Sequence, residues 1–298
     1  MRIFVTGASG FIGSAVVPEL LRAGHRVTGL ARSDASAAAL VAAGAEVQRG
    51  DLTDLNSLRE GAAAAEGVVH LAYNHDFSQM GAAAQTDRAA IEAVGDALAG
   101  TDRPLVFASG VLGMTPGRVA TEHDVPPEAL HPRIATASAA LALASRGVRV
   151  LSMRFAPTVH GEGDHGFMHT IAQIARQKGV SGYVGDGENR WPAVHRLDAA
   201  TLVRLALEKG AAGSSLHAVA EEGVRIRDVA EVIGRHLKMP VVSVPAAQAA
   251  EHFGWMGLFI GADSPVSSAL TRDWMGWTPT HPGLLADLDE GHYFQTLA

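Results

Sequence analysis

Three glycines at a spacing of three, Gly7, Gly10 and Gly13, stand in the stretch VTGASGFIG. An apolar run precedes them and an amphipathic one follows. Between a strand and a helix, that pattern suits a pyrophosphate. Gly7 permits the tight turn, Gly10 lets the phosphates approach the backbone, and Gly13 lets the helix pack close to the sheet. The start of the helix adds free N–H groups and the positive end of a dipole. Ser9, Phe11 and Ile12 belong to the same expected cofactor loop. An ordinary Gly-rich turn is the alternative, and the strand-before, helix-after context disfavours it.

The end of the second apolar run, Ala31-Arg32-Ser33-Asp34, decides which dinucleotide fits. A carboxylate there would take a ribose 2′-hydroxyl, whereas an arginine forks onto a 2′-phosphate. Arg32 is nearest the strand end, with Ser33 beside it, so NADP(H) is expected in preference to NAD(H). Asp34 is expected to cap the next helix. Asp51 and Leu52, in GDLTD, close the third strand near the expected adenine. A helix cap is the other reading of Asp51, one that Asp54 could supply instead.

These residues need elements to hold them. Strands are expected at 2–7, 26–31, 45–51, 67–73, 104–110 and 148–155, with helices over 11–23 and near 34–43, 54–65, 85–99 and 134–146. Such alternation implies a parallel sheet with helices on both faces. Runs without polar alternation, such as LVFA, fit strands buried on both sides. After residue 156 the rhythm breaks. PTVHGEGDHGFM reads as a loop, 166–178 as a helix, GVSGYVGDGENRW as a turn-rich segment, 198–209 as a helix and 215–219 as a strand. The last eighty residues read as mostly helical, broken at Pro240, Pro245, Pro265 and Pro279.

Composition narrows the classes. The 298 residues are 47% hydrophobic, enough for a sizeable core. A formal charge of −7 argues against a nucleic-acid surface. Lysine occurs only at 178, 209 and 238, and no basic run suggests a membrane patch. Cysteine is absent, which excludes disulfides, thiolate metal sites and thiol nucleophiles. With no signal-like start and no span of eighteen apolar residues, a cytoplasmic protein is expected.

The ordered set VTGASGFIG, GDLTD (50–54), VVHLAY (68–73), VFASGVLG (106–113), MRFAPTVHGEGD (153–164), WPAVHRLDAATLVRLALE (191–208) and MGWTPT (275–280) resembles the extended or atypical short-chain dehydrogenase/reductases of the NAD(P)-dependent epimerase/dehydratase type. The resemblance covers nearly the whole chain. It implies an α/β fold: a Rossmann-type doubly wound parallel sheet with a smaller, mostly C-terminal substrate domain. Residues 1–160 form the expected dinucleotide domain, joined by parts of 190–220, and 161–298 hold most of the substrate region. Leu71, Ala72, Tyr73, Pro157 and Val159 are implied cofactor contacts. His160 and His165, in the loop after strand six, and Trp191 and His195 are implied on the substrate side, although packing between domains is an equal reading of Trp191. HFGWMGLF (252–259) either roofs the pocket or forms a core helix. His165 and His169, four apart on an expected helix, hint at a metal pair, but without a glutamate in HExxH register no metal is expected.

The chain departs from the family at its chemistry. Members carry a serine or threonine after strand five and Tyr-x-x-x-Lys on the next helix, where the tyrosine exchanges a proton with the substrate oxygen. Ser109 fits the serine. Of the three tyrosines, 73, 183 and 293, none has lysine four residues on. Counting back from Gly147, the family spacing sets Arg133 at the lysine position and Ala129 at the tyrosine position; a two-residue slip brings His131. Arg133 can bind the cofactor ribose but cannot share a proton. His131 can act as acid or base, or is a solvated residue ahead of Pro132.

The resemblance and these departures leave three readings. The first is an NADP(H)-dependent oxidoreductase for a carbonyl or alcohol of a small or medium molecule, with Ser109, His131 and Arg133 at its centre. The others are a sugar-nucleotide epimerase or dehydratase and a non-catalytic dinucleotide sensor. A homodimer paired through the helices near 85–99 and 134–146 is also implied.

Overall fold

The computed structural model describes residues 1–75, 79–128 and 132–295. The chain begins with a strand–helix alternation: β1 (Arg2–Thr6), α1 (Gly13–Arg22), β2 (Arg26–Ala31), α2 (Asp34–Ala42), β3 (Glu46–Arg49), α3 (Leu55–Ala64), β4 (Gly67–His70), α4 (Met80–Leu98), β5 (Pro104–Gly110), α5 (Pro132–Leu141) and β6 (Arg149–Phe155). It continues through β7 (Thr158–His160), α6 (Phe167–Lys178), β8 (Ser181–Val184), β9 (Arg190–His195), α7 (Arg196–Lys209) and β10 (Ser215–Ala218). The last part holds β11 (Glu221–Arg225), α8 (Ile226–Leu237), β12 (Val241–Val244), α9 (Ala249–Phe253), α10 (Ala269–Met275) and α11 (Leu284–Asp289).

Seven strands form one parallel sheet in the order β10-β6-β5-β4-β1-β2-β3. The order reverses between β1 and β4, the switch point at which an open α/β sheet offers a crevice above its strand ends. Side chains of α1 and α7 join the core on one face of this sheet, and those of α3, α4 and α5 join it on the other. The wholly buried β4 and nearly wholly buried β5 explain their lack of polar alternation. This is the doubly wound Rossmann-type fold that the resemblance implied, with the helices on both faces that the alternation implied.

The smaller elements correct several expectations. The segment read as turn-rich contains β8 and opens β9. Strand β8 pairs with β12, and β9 lies between β11 and β7. Their partners lie far away in sequence, so local composition could not reveal them. The 157–168 segment is not wholly loop, since Thr158–His160 pairs with β9. Two strands, β11 and β12, interrupt the C-terminal part expected to be mostly helical. Helix α4 starts at Met80, ahead of the expected 85, and α5 gives way to a 3-10 turn at Ala142–Arg146, which Gly147 ends in the left-handed region with φ of 72°. Ser33, not Asp34, caps α2, by accepting from Ser36 N–H.

Candidate cofactor cleft

The glycine loop crosses the C-terminal ends of β1 and β4. Gly7 has φ of +67°, and a Cβ there would sit 2.6 Å from Ala72 N. A Cβ on Gly13 would lie 2.1 Å from Gly7 O. These glycines bring loop, strand and helix together as the motif requires. Among the described residues, no oxygen accepts from the N–H groups of Phe11, Ile12 or Gly13. Ser9 and Gly10 are exposed at this edge, while Phe11 and Ile12 are partly buried. An open rim of free N–H groups at the start of a ten-residue helix fits the diphosphate of a dinucleotide.

Arg32 projects exposed from the end of β2, beside exposed Ser33. Asp34 pairs with Arg49, which leaves Arg32 as the cation nearest the strand end. Asp51 Oδ1 accepts from Thr53 N at 2.7 Å and from Thr53 Oγ1 at 2.6 Å. Chiefly for that reason its carboxyl is held below the usual range. Asp54 caps α3, so Asp51 Oδ2 stays clear of that duty, beside partly buried Leu52.

Under the crevice, between β1, β4 and α4, lies a buried polar chain. Thr6 Oγ1 is hydrogen-bonded to His70 Nδ1 at 2.9 Å, and His70 Nε2 to Asp87 Oδ1 at 3.1 Å. Arg133 Nε donates to Asp87 Oδ2 at 3.3 Å, and its Nη2 donates to Ala108 O at 2.9 Å. Ala72 N–H donates back to Thr6 Oγ1 at 3.3 Å. With the Asp87 carboxylate accepting from His70 Nε2–H, the ring's Nδ1 is the acceptor for the threonine hydroxyl. Both His70 and Asp87 are 1% exposed. The chain therefore fixes Arg133 from inside the fold.

Beyond His70, Leu71, Ala72 and Tyr73 continue past the end of β4 and remain partly buried at the crevice. The Arg133 guanidinium lies 3.9 Å from the centre of the Tyr73 ring. Burial raises the Tyr73 phenol above its ordinary value, and the facing guanidinium opposes that shift. Ser109 is the penultimate residue of β5, next to the carbonyl that Arg133 holds. Of the three residues expected at the chemical centre, Ser109 and Arg133 are thus neighbours, while His131, like Ala129, lies outside the described residues.

The loop after β7 closes the other side. Pro157 and Val159 are partly buried where the chain leaves β6. His165 is exposed and meets Phe11 edge-on, with ring centres 5.9 Å apart. It precedes α6, so His165 and His169 do not share a helix as expected. His160 is fully buried and bonded to Asp287 at 3.0 Å; its role in this structure is to anchor the loop. For Trp191 the structure describes the packing that was its other reading. It is fully buried, donates from Nε1 to Ala262 O at 3.1 Å and packs on Phe167. A side chain so covered offers no surface to a substrate.

His195 is 8% exposed, stacks on His281 with ring centres 4.8 Å apart, and accepts from Leu197 N as the cap of α7. Burial, reinforced by the neighbouring His160, lowers it to about 4. Phe253 and Met256, in the 252–259 segment, are buried, while Trp255 and Leu258 are exposed at its surface.

Sequence reading missed His70, Asp87 and Arg196. Asp87 lies on the buried stripe of α4 with Ala83, Ala84, Ala90, Ile91 and Val94. A carboxylate at helical spacing among apolar residues was the available signal. Arg196 lies against the cofactor loop, its guanidinium 5.3 Å from the Phe11 ring and its Nη1 3.5 Å from Ser14 Oγ. No local pattern marks that approach, since it joins the start of α7 to the start of α1.

Comparison with known proteins agrees with this geometry. Residues 3–219 match the NAD dependent epimerase/dehydratase family. An uncharacterized protein of Schizosaccharomyces pombe is 50% identical over 99% of this chain and 100% of its own length. A 4-hydroxy-2-methyl-3-oxo-4-farnesyl-3,4-dihydroquinoline-1-oxide ketoreductase of Stigmatella aurantiaca is 26% identical, covering 89% of this chain and 84% of that protein. In structure, UDP-glucose 4-epimerase from Thermotoga maritima superposes with a TM-score of 0.77 at 20% identity, over 99% of this chain and 98% of its own. Among the described residues no helix is long and apolar enough to cross a membrane. With the family match spanning the glycine loop, the crevice and β10, the chain belongs to the NAD dependent epimerase/dehydratase family.

Proposed function

We propose that this protein is an NADP(H)-dependent oxidoreductase acting on a carbonyl or alcohol of a small or medium, partly apolar molecule. The observation that carries the reading is the hydrogen bond of Arg133 to Ala108 O, the carbonyl just before Ser109 at the end of β5, beside the strand ends that the glycine loop crosses. When bound, the dinucleotide supplies or accepts the hydride. The N–H groups of Phe11, Ile12 and Gly13 hold its diphosphate, and Arg32 holds the 2′-phosphate. Asp51 and Leu52 border the adenine. Leu71, Ala72, Tyr73, Pro157 and Val159 border the nicotinamide ribose and ring.

Ser109 Oγ orients the substrate oxygen. Arg133, braced by Asp87, provides a fixed positive charge and cannot itself give up a proton at working pH. His165 stands at the mouth. His160 and His195 act from behind, by shaping the loop. Phe167 stacks on Phe259 with ring centres 6.3 Å apart, and both, like Leu112, are only partly buried, which favours an apolar substituent on the substrate. We assign 161–298 as the main source of this substrate surface and the first 160 residues, with part of 190–220, as the dinucleotide unit.

The test is NADPH oxidation against a panel of ketones and aldehydes, with binding of both dinucleotides measured by fluorescence. NADPH should bind more tightly than NADH, Arg32→Ala should erase the difference, and Ser109→Ala should slow turnover. Equal affinities in the unmutated protein would remove the NADP(H) assignment. Turnover of a sugar nucleotide without net cofactor use would replace the reading with an epimerase. Tight dinucleotide binding with no turnover of any substrate would make the protein a sensor.

A further inference from the structure

We infer that Tyr73 is the proton donor of this site, standing at the end of β4 where the family's tyrosine on the following helix is missing; the inference rests on the oxidoreductase reading above. The fate of the three tyrosines carries it. Tyr293 is buried, and its hydroxyl is consumed twice: it donates to Asp164 Oδ2 at 3.0 Å and accepts from Gly161 N at 3.2 Å. Tyr183 belongs to β8, in the two-stranded sheet with β12, under the Arg227 guanidinium at 5.7 Å. Tyr73 alone lies on the crevice. Its backbone continues directly from Leu71 and Ala72, against which Gly7 is pressed, so the residue follows the strand end that borders the glycine loop.

The cation over that ring does not drift. Arg133 is held through Nε by Asp87 and through Nη2 by Ala108 O, so its guanidinium is bracketed between the Tyr73 ring and the end of β5. Tyr73 Oη has no hydrogen-bond partner among the described residues and is free to meet a substrate oxygen. Among the described residues, the titratable and charged groups facing it are Arg133 from α5, Asp87 from α4 and His75, whose ring meets the Tyr73 ring at 5.1 Å.

Chemically, a protonated phenol suits reduction. The carbonyl carbon gains a hydride from the reduced nicotinamide, which leaves oxidised, and the C=O π pair moves to oxygen. Tyr73 Oη–H breaks and its proton passes to that oxygen, giving the alcohol. The resulting phenolate is stabilised by the Arg133 charge over its ring and regains a proton from water.

Two measurements test this. The first labels the three tyrosines with ¹³C at Cζ and assigns Tyr73 by loss of its signal in Tyr73→Phe. Saturation with NADP⁺ should shift the Tyr73 signal and leave Tyr183 unmoved, and Arg133→Leu should raise the pH at which the Tyr73 signal titrates by about one unit. A Tyr73 signal indifferent to NADP⁺, or to Arg133→Leu, overturns the proposal.

The second is turnover on a ketone reduced by the unmutated protein. Tyr73→Phe should lower kcat about a hundredfold or more while leaving KM and NADPH affinity nearly unchanged. Full activity in Tyr73→Phe overturns the tyrosine assignment and leaves the oxidoreductase reading standing. Absence of reductase activity in the unmutated protein overturns both.

Discussion

Asp87 and Arg133 are joined across the interface of α4 and α5, Nε to Oδ2 at 3.3 Å, with the carboxylate 1% exposed. The same carboxylate accepts from His70, so one buried acid organises two donors. A buried acid with two charge-capable partners is costly to remove, because each partner then loses its acceptor. Asp87→Ala should therefore destabilise the fold by about 3 kcal/mol, and Asp87→Asn by less, since an amide oxygen still serves one donor. Urea melts at neutral pH read both. Wild-type midpoints in both variants would mean that the chain from Thr6 to Arg133 carries no energy.

Gly13 offers a sharper steric test. Its missing Cβ is what lets Gly7 O and the Ala8 backbone approach the first turn of α1. In Gly13→Ala, backbone on both sides must shift, at a cost of about 1–3 kcal/mol. The displaced N–H groups should weaken NADPH binding by about tenfold or more, by the equivalence of 1.4 kcal/mol with a factor of ten. Gly81→Ala is the control. It sits on α4, where a Cβ would meet nothing within 4 Å, and it should leave binding unchanged while stabilising the helix by about 0.5–1 kcal/mol. A fluorescence titration that finds both variants equal to wild type would reject the close-approach reading of Gly13.

The parts legible in the sequence are those in which local pattern and tertiary role coincide. The first five strands and their helices repeat one local unit, and VTGASGFIG carries its own turn chemistry. Arg32 and Ser109 stand at the ends of β2 and β5, as expected. Legibility fails where distant segments decide. Gly182 and Gly187 make Ser181–Val184 look like turn, yet β12 supplies it a partner from sixty residues on. Trp191 stays open between pocket and packing in the sequence because aromatics serve both, and it is the contacts with Phe167 and the Ala262 carbonyl that describe its packing. The Arg133 position was readable from spacing, but not what braces it, since that depends on which face of α4 turns inward. Asp87 within an apolar stripe held that information.

Assembly is testable through the exterior of the same helices. Helix α4 presents Ala82, Gln85 and Arg88 to solvent, and α5 leaves Ile134, Ala135 and Ser138 partly exposed. The small side chains of Ala82, Ala135 and Ser138 allow two copies to approach closely, and we expect a homodimer through this face. Light scattering should give twice the 31.0 kDa chain mass at micromolar concentration, and Ala135→Arg should give the single-chain mass with an unchanged circular dichroism spectrum. A single-chain mass for the unmutated protein at every concentration would reject the dimer.

The buried histidines predict how stability responds to acid. His195 is lowered to about 4, first by burial and then by the neighbouring His160, whereas in the unfolded chain it titrates near 6.5. Between those two values the unfolded state binds more protons than the folded state. Stability therefore rises with pH across this window and falls on acidification through it, and it is fully present above about 6.5. The contribution is at most about 3 kcal/mol. His217 and His252 are also lowered, again first by burial, and act in the same direction. Urea unfolding at pH 7 and pH 5 should show the loss. His195→Gln, which cannot titrate, should reduce the difference between the two pH values without abolishing it, because His217 and His252 remain. An unchanged difference in that variant would mean that His195 accepts its proton in the folded state as readily as in water, and that the stack on His281 does not exclude the charge.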